Sequence, residues 1–244
     1  MTTALASNVT NNKANTVLIT GSSRGIGLAL ATYYHAAGWN VIGAARNPVT
    51  ADKLKALNVY KTVQLDVVDE ASILRAAKDL EGEAIDLLIN NAGICPQTDD
   101  LFTDSKADLL RTLEVNAVGP FLISRTFLPH LKAAAAIKGY AKIAQISSTL
   151  GSITLNPGEY RVFPSYRISK AALNMANSVL MHQIKADNII AVTLCPGYVA
   201  TEINDGAGLL EPSVSASMVA KVIGGVTLKE SGKYYNHEGT ELPW

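Results

Sequence analysis

The sequence predicts an α/β protein, one doubly wound domain in which a parallel sheet of about seven strands carries helices on both faces. Three observations predict it. Short apolar runs recur along the chain: TVLIT (16–20), NVIGAA (40–45), YKTVQL (60–65), IDLLIN (85–90), KIAQIS (142–147) and IIAVTL (189–194). Continuous apolar character is what a strand buried on both faces requires. Between the runs lie GLALATYYHAAG, ASILRAAKDL, SKADLLRTLEVN and ALNMANSVLMHQI, whose apolar residues recur at three and four positions, the period of a helix laid on a sheet. The third observation is a glycine-rich turn, GSSRGIG (21–27), directly after the first run. Ligands of such sheets bind beyond the carboxyl ends of the strands, so functional residues are sought where strands end.

After TVLIT, Gly21, Gly25 and Gly27 are spaced GxxxGxG ahead of a helix. Glycine permits a tight turn and a close backbone approach to a pyrophosphate, which the N–H groups and dipole of the helix then hold. The same turn satisfies GxSxG, the nucleophile elbow of esterases, with Ser23 as nucleophile; that elbow normally follows several strands, and a single strand precedes Ser23. After NVIGAA, an NAD-binding chain places a carboxylate on the ribose hydroxyls, about 20 residues past the glycine turn. Ala45 and Arg46 stand there instead. A carboxylate repels a 2′-phosphate, whereas the arginine fork matches it and Arg24 adds a second positive charge. NADP(H) is the expected cofactor; the plainer reading leaves both arginines as solvated surface.

The later runs end in NNAG (90–93), SSTLG (147–151) and PGYVAT (196–201). Between the last two, SYRISK (165–170) opens a helix and places Tyr166 and Lys170 four residues apart, on one helical face. Taken alone the pair reads as a surface contact. EINDGAGLLEPS (202–213) has two glycines and little periodicity, as a mobile lid over a substrate would.

Lysine plus arginine and aspartate plus glutamate each total 21 of 244 residues. The zero net charge gives no electrostatic case for nucleic acid or an anionic membrane and favours a small-molecule partner. Cys95 and Cys195 belong to no CxxC pair, and His35, His130, His182 and His237 form no ligand-like spacing, so no disulfide and no metal are expected. Residues 1–15, rich in Ser, Thr and Asn, read as a floppy tail ahead of a single domain over 16–244. The tail lacks the basic start and apolar run of a secretion signal, and no run approaches membrane-spanning length, so the cytoplasm is the expected location.

With the glycine turn, NNAG, SSTLG, YRISK (166–170) and PGYVAT in this order, the chain resembles the short-chain dehydrogenase/reductase family over essentially everything after the tail. The ending GKYYNHEGTELPW and the long interval between Ser148 and Tyr166 look more narrowly like the sniffer and C-factor carbonyl reductases. The resemblance implies a Rossmann-type domain and assigns roles. Tyr166 would be the proton donor, Lys170 its electrostatic helper and a ribose ligand, Ser148 the partner of the substrate oxygen, and Asn116 in LEVNAVG the anchor of a proton-relaying water. It also implies cofactor contacts from Gly21, Ser23, Arg24, Gly25, Ile26 and Gly27. Asp66 with Val67 would meet the adenine, and Asn90, Ala92 and Gly93 would pass beneath the adenosine. Pro196, Gly197 and Val199 would shape the nicotinamide wall, with Thr201 on the carboxamide or pyrophosphate. Ser148 is chosen over Ser147 because Ser148-Thr149-Leu150-Gly151 has the SxxG phase and neighbouring strand residues face opposite ways. Asn116 reads equally as a buried asparagine satisfying helix backbone. A free phenol has a pKa near 10, and a nearby ammonium and nicotinamide charge are expected to lower it.

These readings lead to an NADPH-dependent carbonyl reductase acting on an aldehyde or ketone, with alcohol oxidation as the reverse. The alternatives are an NAD-dependent alcohol dehydrogenase and a non-catalytic module that senses NADP(H); intact Ser148, Tyr166 and Lys170 speak against the module. Tyr160 and Phe163 are candidates for the substrate mouth. Two apolar helices expected around 104–135 and 166–184, together with the family resemblance, point to a homodimer or homotetramer.

Overall fold

The computed structural model describes residues 14–96, 101–156 and 162–244. The expected tail up to residue 13, the outer part of the loop after NNAG and the Tyr160 candidate lie outside them. Seven parallel strands form one sheet: β1 (Thr16–Thr20), β2 (Asn40–Ala45), β3 (Lys61–Gln64), β4 (Leu87–Asn90), β5 (Ala141–Ile146), β6 (Ile189–Cys195) and β7 (Tyr234–Asn236). Their spatial order is β3-β2-β1-β4-β5-β6-β7, so the winding reverses between β1 and β4, where Val17 stands opposite Leu87. That reversal is where a crevice opens in a doubly wound sheet.

Side-chain alternation divides the core into two layers. Leu18, Ile42, Ala44, Leu88 and Ile143 face one layer, which is closed by α3 (Glu70–Asp79), α5 (Gly119–Thr126), α6 (Leu128–Lys138) and the inner face of α7 (Pro164–Ile184). Val17, Ile19, Val41, Leu87, Ile89 and Val192 face the other, closed by α1 (Gly25–Ala36), α2 (Asp52–Ala56) and α8 (Pro212–Gly225). Burial on both faces is why the strands read as unbroken apolar runs.

Three departures from the sequence reading have physical causes. The apolar helix expected over 104–135 is broken into α4 (Lys106–Leu113), a wider π turn over Glu114–Val118, α5 and α6. The chain stays helical through the π turn into α5, where Pro120 lies; the break comes at fully buried Phe127, the corner between α5 and α6, and Pro129 sits in the first turn of α6, where the missing N–H costs nothing. The strand β7 and the helix α8 are structure that no apolar run or motif pointed to; β7 has three residues, too few to show a period. The segment 202–213 is tied at its base: Val199 pairs with Leu210, and the Asn204 amide accepts from the Thr201 N–H (3.1 Å) and donates to the Val199 carbonyl (3.0 Å). Among the described residues no helix is long and apolar enough to cross a membrane.

Candidate functional site

A cavity of about 880 Å³ opens over the carboxyl ends of the strands. It is lined by the glycine turn, by Ala45–Asn47 after β2, Leu65–Val67 after β3, Asn91–Cys95 after β4 and Thr201–Ile203 beyond β6. The glycine turn owes its shape to crowding. A Cβ on Gly27 would lie 2.2 Å from the Gly21 carbonyl oxygen, and one on Gly21, whose φ is 65°, would lie 3.0 Å from the Ala92 Cα. Any side chain there would push the turn off the sheet. The turn is also braced by Asn91, a residue the sequence reading passed over: its amide donates to the Thr20 carbonyl (2.9 Å), while Thr20 Oγ1 accepts from the Asn91 N–H (3.0 Å) and the Ala92 N–H (3.1 Å). These bonds stitch the ends of β1 and β4 together across the switch point. The doubled asparagine of NNAG was the available signal.

Most of the expected cofactor contacts line this cavity: Gly21, Ser23, Arg24, Gly25, Ile26, Gly27, Arg46, Asp66, Val67, Ala92, Gly93 and Thr201. Asn90 does not. It shares the inward face of β4 with Leu88, and its amide donates to Ser124 Oγ (3.0 Å), Gln145 Oε1 (3.0 Å) and the Pro120 carbonyl (3.3 Å) on the far side of the sheet. Alternation turns Asn90 toward α5 and leaves the cavity to Asn91. Pro196, Gly197 and Val199 are likewise outside the lining: the Pro196 carbonyl is taken by Ser215 Oγ (2.7 Å), Gly197 packs on Leu210 and His237, and Val199 is buried. Arg46 is exposed at the rim. Arg24 forms an ion pair with Glu202 (2.9 Å) across the mouth. No histidine shares the lining with Ser23, which removes the support for the esterase elbow.

Past Gly93 the cavity gives way to the cluster around α7. Lys170 is 4 % exposed, and its Nζ donates to the Ile146 carbonyl at the end of β5 (2.8 Å) and stands 5.5 Å from the centre of the Tyr166 ring. Burial lowers the Lys170 pKa to about 8. The half-buried Tyr166 phenol moves upward from its ordinary value, first through burial and then through the neighbouring Cys95 and Cys195, while a hydrogen bond with the Ser148 side chain opposes the rise. In the protein without cofactor, burial penalises the charged form of both groups; the expected lowering counted on the nicotinamide charge as well and concerns the cofactor-bound site.

The SxxG phase has a steric cause. A Cβ on Gly151 would come within 2.7 Å of the Lys170 Cβ, so only glycine lets this turn lie flat on α7. Ser147 is buried and donates to Asn174 Oδ1 (2.7 Å), whereas Ser148 is half-buried on the Tyr166 side. Asn116, carried inward by the π turn, spends its side chain on the strap after NNAG. Oδ1 accepts from the Ile94 N–H (2.9 Å), and Nδ2 donates to the Ile94 carbonyl (2.8 Å) and Ser169 Oγ (3.0 Å). Both amide hydrogens are committed, to the strap after β4 and to a serine hydroxyl rather than to helix backbone. Phe163 opens α7 in a left-handed conformation (φ 61°) and lies apart from the cavity lining.

Comparison with known proteins agrees with this geometry. The family model described as short chain dehydrogenase matches residues 15–209. A short chain dehydrogenase of Penicillium aethiopicum, gsfK, is 34 % identical over 94 % of this chain and 99 % of its own. Among solved structures, a carbonyl reductase from chicken fatty liver with NADPH bound superposes with a TM-score of 0.85 at 36 % identity, over 95 % of this chain and 99 % of that one. The carbonyl reductase Sniffer of D. melanogaster gives 0.87 at 30 % identity, over 95 % and 100 %.

The buried lysine makes stability depend on pH. Its folded pKa, about 8, lies below the ordinary value of 10.5, so between those values the unfolded chain binds the extra proton and Lys170 adds stability as the pH rises. The raised phenol of Tyr166 and thiol of Cys95 act in the opposite direction, so the difference between wild type and Lys170→Met isolates the lysine. In denaturant titrations that difference should shift in favour of the wild type from pH 8 to pH 10.5; a flat difference would mean the ammonium is solvated.

Proposed function

The chain belongs to the short-chain dehydrogenase family and is an oxidoreductase of that family; from this premise we propose that it is an NADPH-dependent carbonyl reductase in which Tyr166 protonates the oxygen of an aldehyde or ketone. The observation that carries the reading is the convergence of Ser148, Tyr166 and Lys170 from β5 and α7 at the end of the glycine-lined cavity. The cofactor fits the residues present. The turn at Gly21 and Gly27 has no room for side chains, the N-terminus of α1 is the place for a pyrophosphate, and no carboxylate among the described residues pairs with Arg46, which leaves its fork for a 2′-phosphate. The carbonyl reductase from chicken fatty liver carries NADPH. When bound, NADPH supplies the hydride.

The protein's own groups supply the rest. Burial keeps the Tyr166 phenol protonated at neutral pH, the form a donor needs. As the proton leaves, the developing phenolate lies beside the Lys170 ammonium, which lies 5.5 Å from the ring centre in a site poor in water, where attraction between charges is strong. The Ser148 hydroxyl, which meets the phenol in the resting protein, turns its proton to the same substrate oxygen and orients it. Asn116 holds the Ile94 strap that separates the cavity from α7. Exposed apolar side chains on α4, α5 and α7, among them Leu110, Phe121, Ile168 and Met175, support association through that face.

Three outcomes test the reading. Tyr166→Phe should bind NADPH nearly normally yet lose carbonyl reduction by roughly a hundredfold or more; turnover at the wild-type rate would remove α7 from the chemistry. Arg46→Asp should weaken NADPH by roughly ten- to a hundredfold and NADH far less, whereas equal losses would mean a damaged loop. Light scattering at micromolar concentration should give a mass of two or four chains, and the mass of one chain would refute association.

A further inference from the structure

We propose that Tyr234, seated by Trp244, is a positioning residue that holds Ser148 against Tyr166. The proposal rests on the carbonyl reductase reading, in which Ser148 orients the substrate oxygen. Its starting point is the turn that carries the serine. Ser148 lies just beyond the last ladder bond of β5, where the chain turns once over Thr149–Gly151 and leaves the sheet. Within that turn its hydroxyl meets the Leu150 N–H at 3.2 Å and its carbonyl accepts the Gly151 N–H at 2.8 Å, bonds that close the turn on itself, and toward α7 its hydroxyl meets the Tyr166 phenol.

A long-range hold on the same carbonyl comes from β7 and the residues after it. The Tyr234 phenol, 1 % exposed, donates to the backbone carbonyl of Ser148. The Trp244 ring stacks on Tyr234 with centroids 5.2 Å apart and planes 17° from parallel, and the Leu242 N–H returns to the Tyr234 carbonyl (2.7 Å). The same strand of chain takes hold of the loop twice more: the Pro243 carbonyl accepts Ser152 Oγ (2.7 Å) and the Trp244 carbonyl accepts the Thr154 N–H (2.9 Å). Beside the phenol, Asn174, one helical turn past Lys170, accepts Ser147 Oγ (2.7 Å) and donates to the Gly151 carbonyl (3.2 Å). The chain is thus held before the serine, at it and after it. Fixing the carbonyl of a residue fixes its backbone angles and so the direction of its side chain, and displacement of an orienting group by a fraction of an ångström is costly to a reaction. Packing alone would be served by phenylalanine; the hydroxyl of Tyr234 donates to the Ser148 carbonyl and stands beside the Ser147 and Asn174 side chains.

The test is a double-substitution cycle read in NADPH-driven reduction of a carbonyl panel, with NADPH affinity measured by fluorescence. Tyr234→Phe should lower kcat about tenfold, as loss of orientation does, with the NADPH Kd unchanged. In a Ser148→Ala background the same substitution should cost nothing further, because it acts through the hydroxyl already removed. Trp244→Ala should reproduce the loss and Trp244→Phe restore most of it. Wild-type kcat in Tyr234→Phe, or an equal loss with and without Ser148, overturns the proposal while leaving the reductase reading intact. Should the wild type reduce no carbonyl, that reading falls, and amide hydrogen exchange judges the brace. Tyr234→Phe and Trp244→Ala should then speed exchange over 148–156 about tenfold and leave the glycine turn unchanged; unchanged exchange in the loop overturns it.

Discussion

An ammonium taken out of water is the most demanding group in this protein. Lys170 is almost fully enclosed, and a buried charge is tolerated only where hydrogen bonds replace its hydration. Its bond to the Ile146 carbonyl ties α7 to the end of β5. The neighbouring backbone must then come unusually close: Gly151 lies on the helix with no room for a Cβ, and Gly93 passes beside the ammonium and the Asn116 amide. Glycine at 151 is a direct consequence of packing this turn on the lysine's helix.

The same burial sets the chemistry. In water, a phenol and an ammonium at this spacing would barely influence one another. Enclosed, both groups shift toward their neutral forms, and charges in such surroundings act on one another strongly. Under the reductase proposal, the lysine acts on the phenolate that forms during proton transfer more than on the resting phenol.

The winding of the sheet explains why two half-sites meet. Because β1 and β4 are neighbours and the chain winds away from them on both sides, the loops after β1, β2, β3 and β4 surround the cavity, while the turn after β5 meets α7 at its far end. Asn91 closes the seam between β1 and β4, so the glycine turn and the strap leading to Asn116 share one support.

The sequence by itself determined the sheet, its parallel sense, the glycine turn, and the facing of Tyr166 and Lys170, because each rests on a local rule: buried strands are unbroken apolar runs, tight approaches need glycine, and residues four apart share a helical face. The SxxG phase at Ser148 was legible through the family resemblance, and its steric cause is the contact of Gly151 with Lys170. Tertiary structure alone decided what depends on residues distant along the chain. It turned Asn90 away from the cavity and Asn91 into its support, broke the expected helix at Phe127, buried the phenol so that without cofactor it is harder to ionise, and brought Tyr234, Asn174 and Trp244 to the loop of Ser148. A three-residue edge strand has no period to read, and desolvation belongs to no residue singly: it is set by everything that packs around it, so the pattern along the chain cannot announce it.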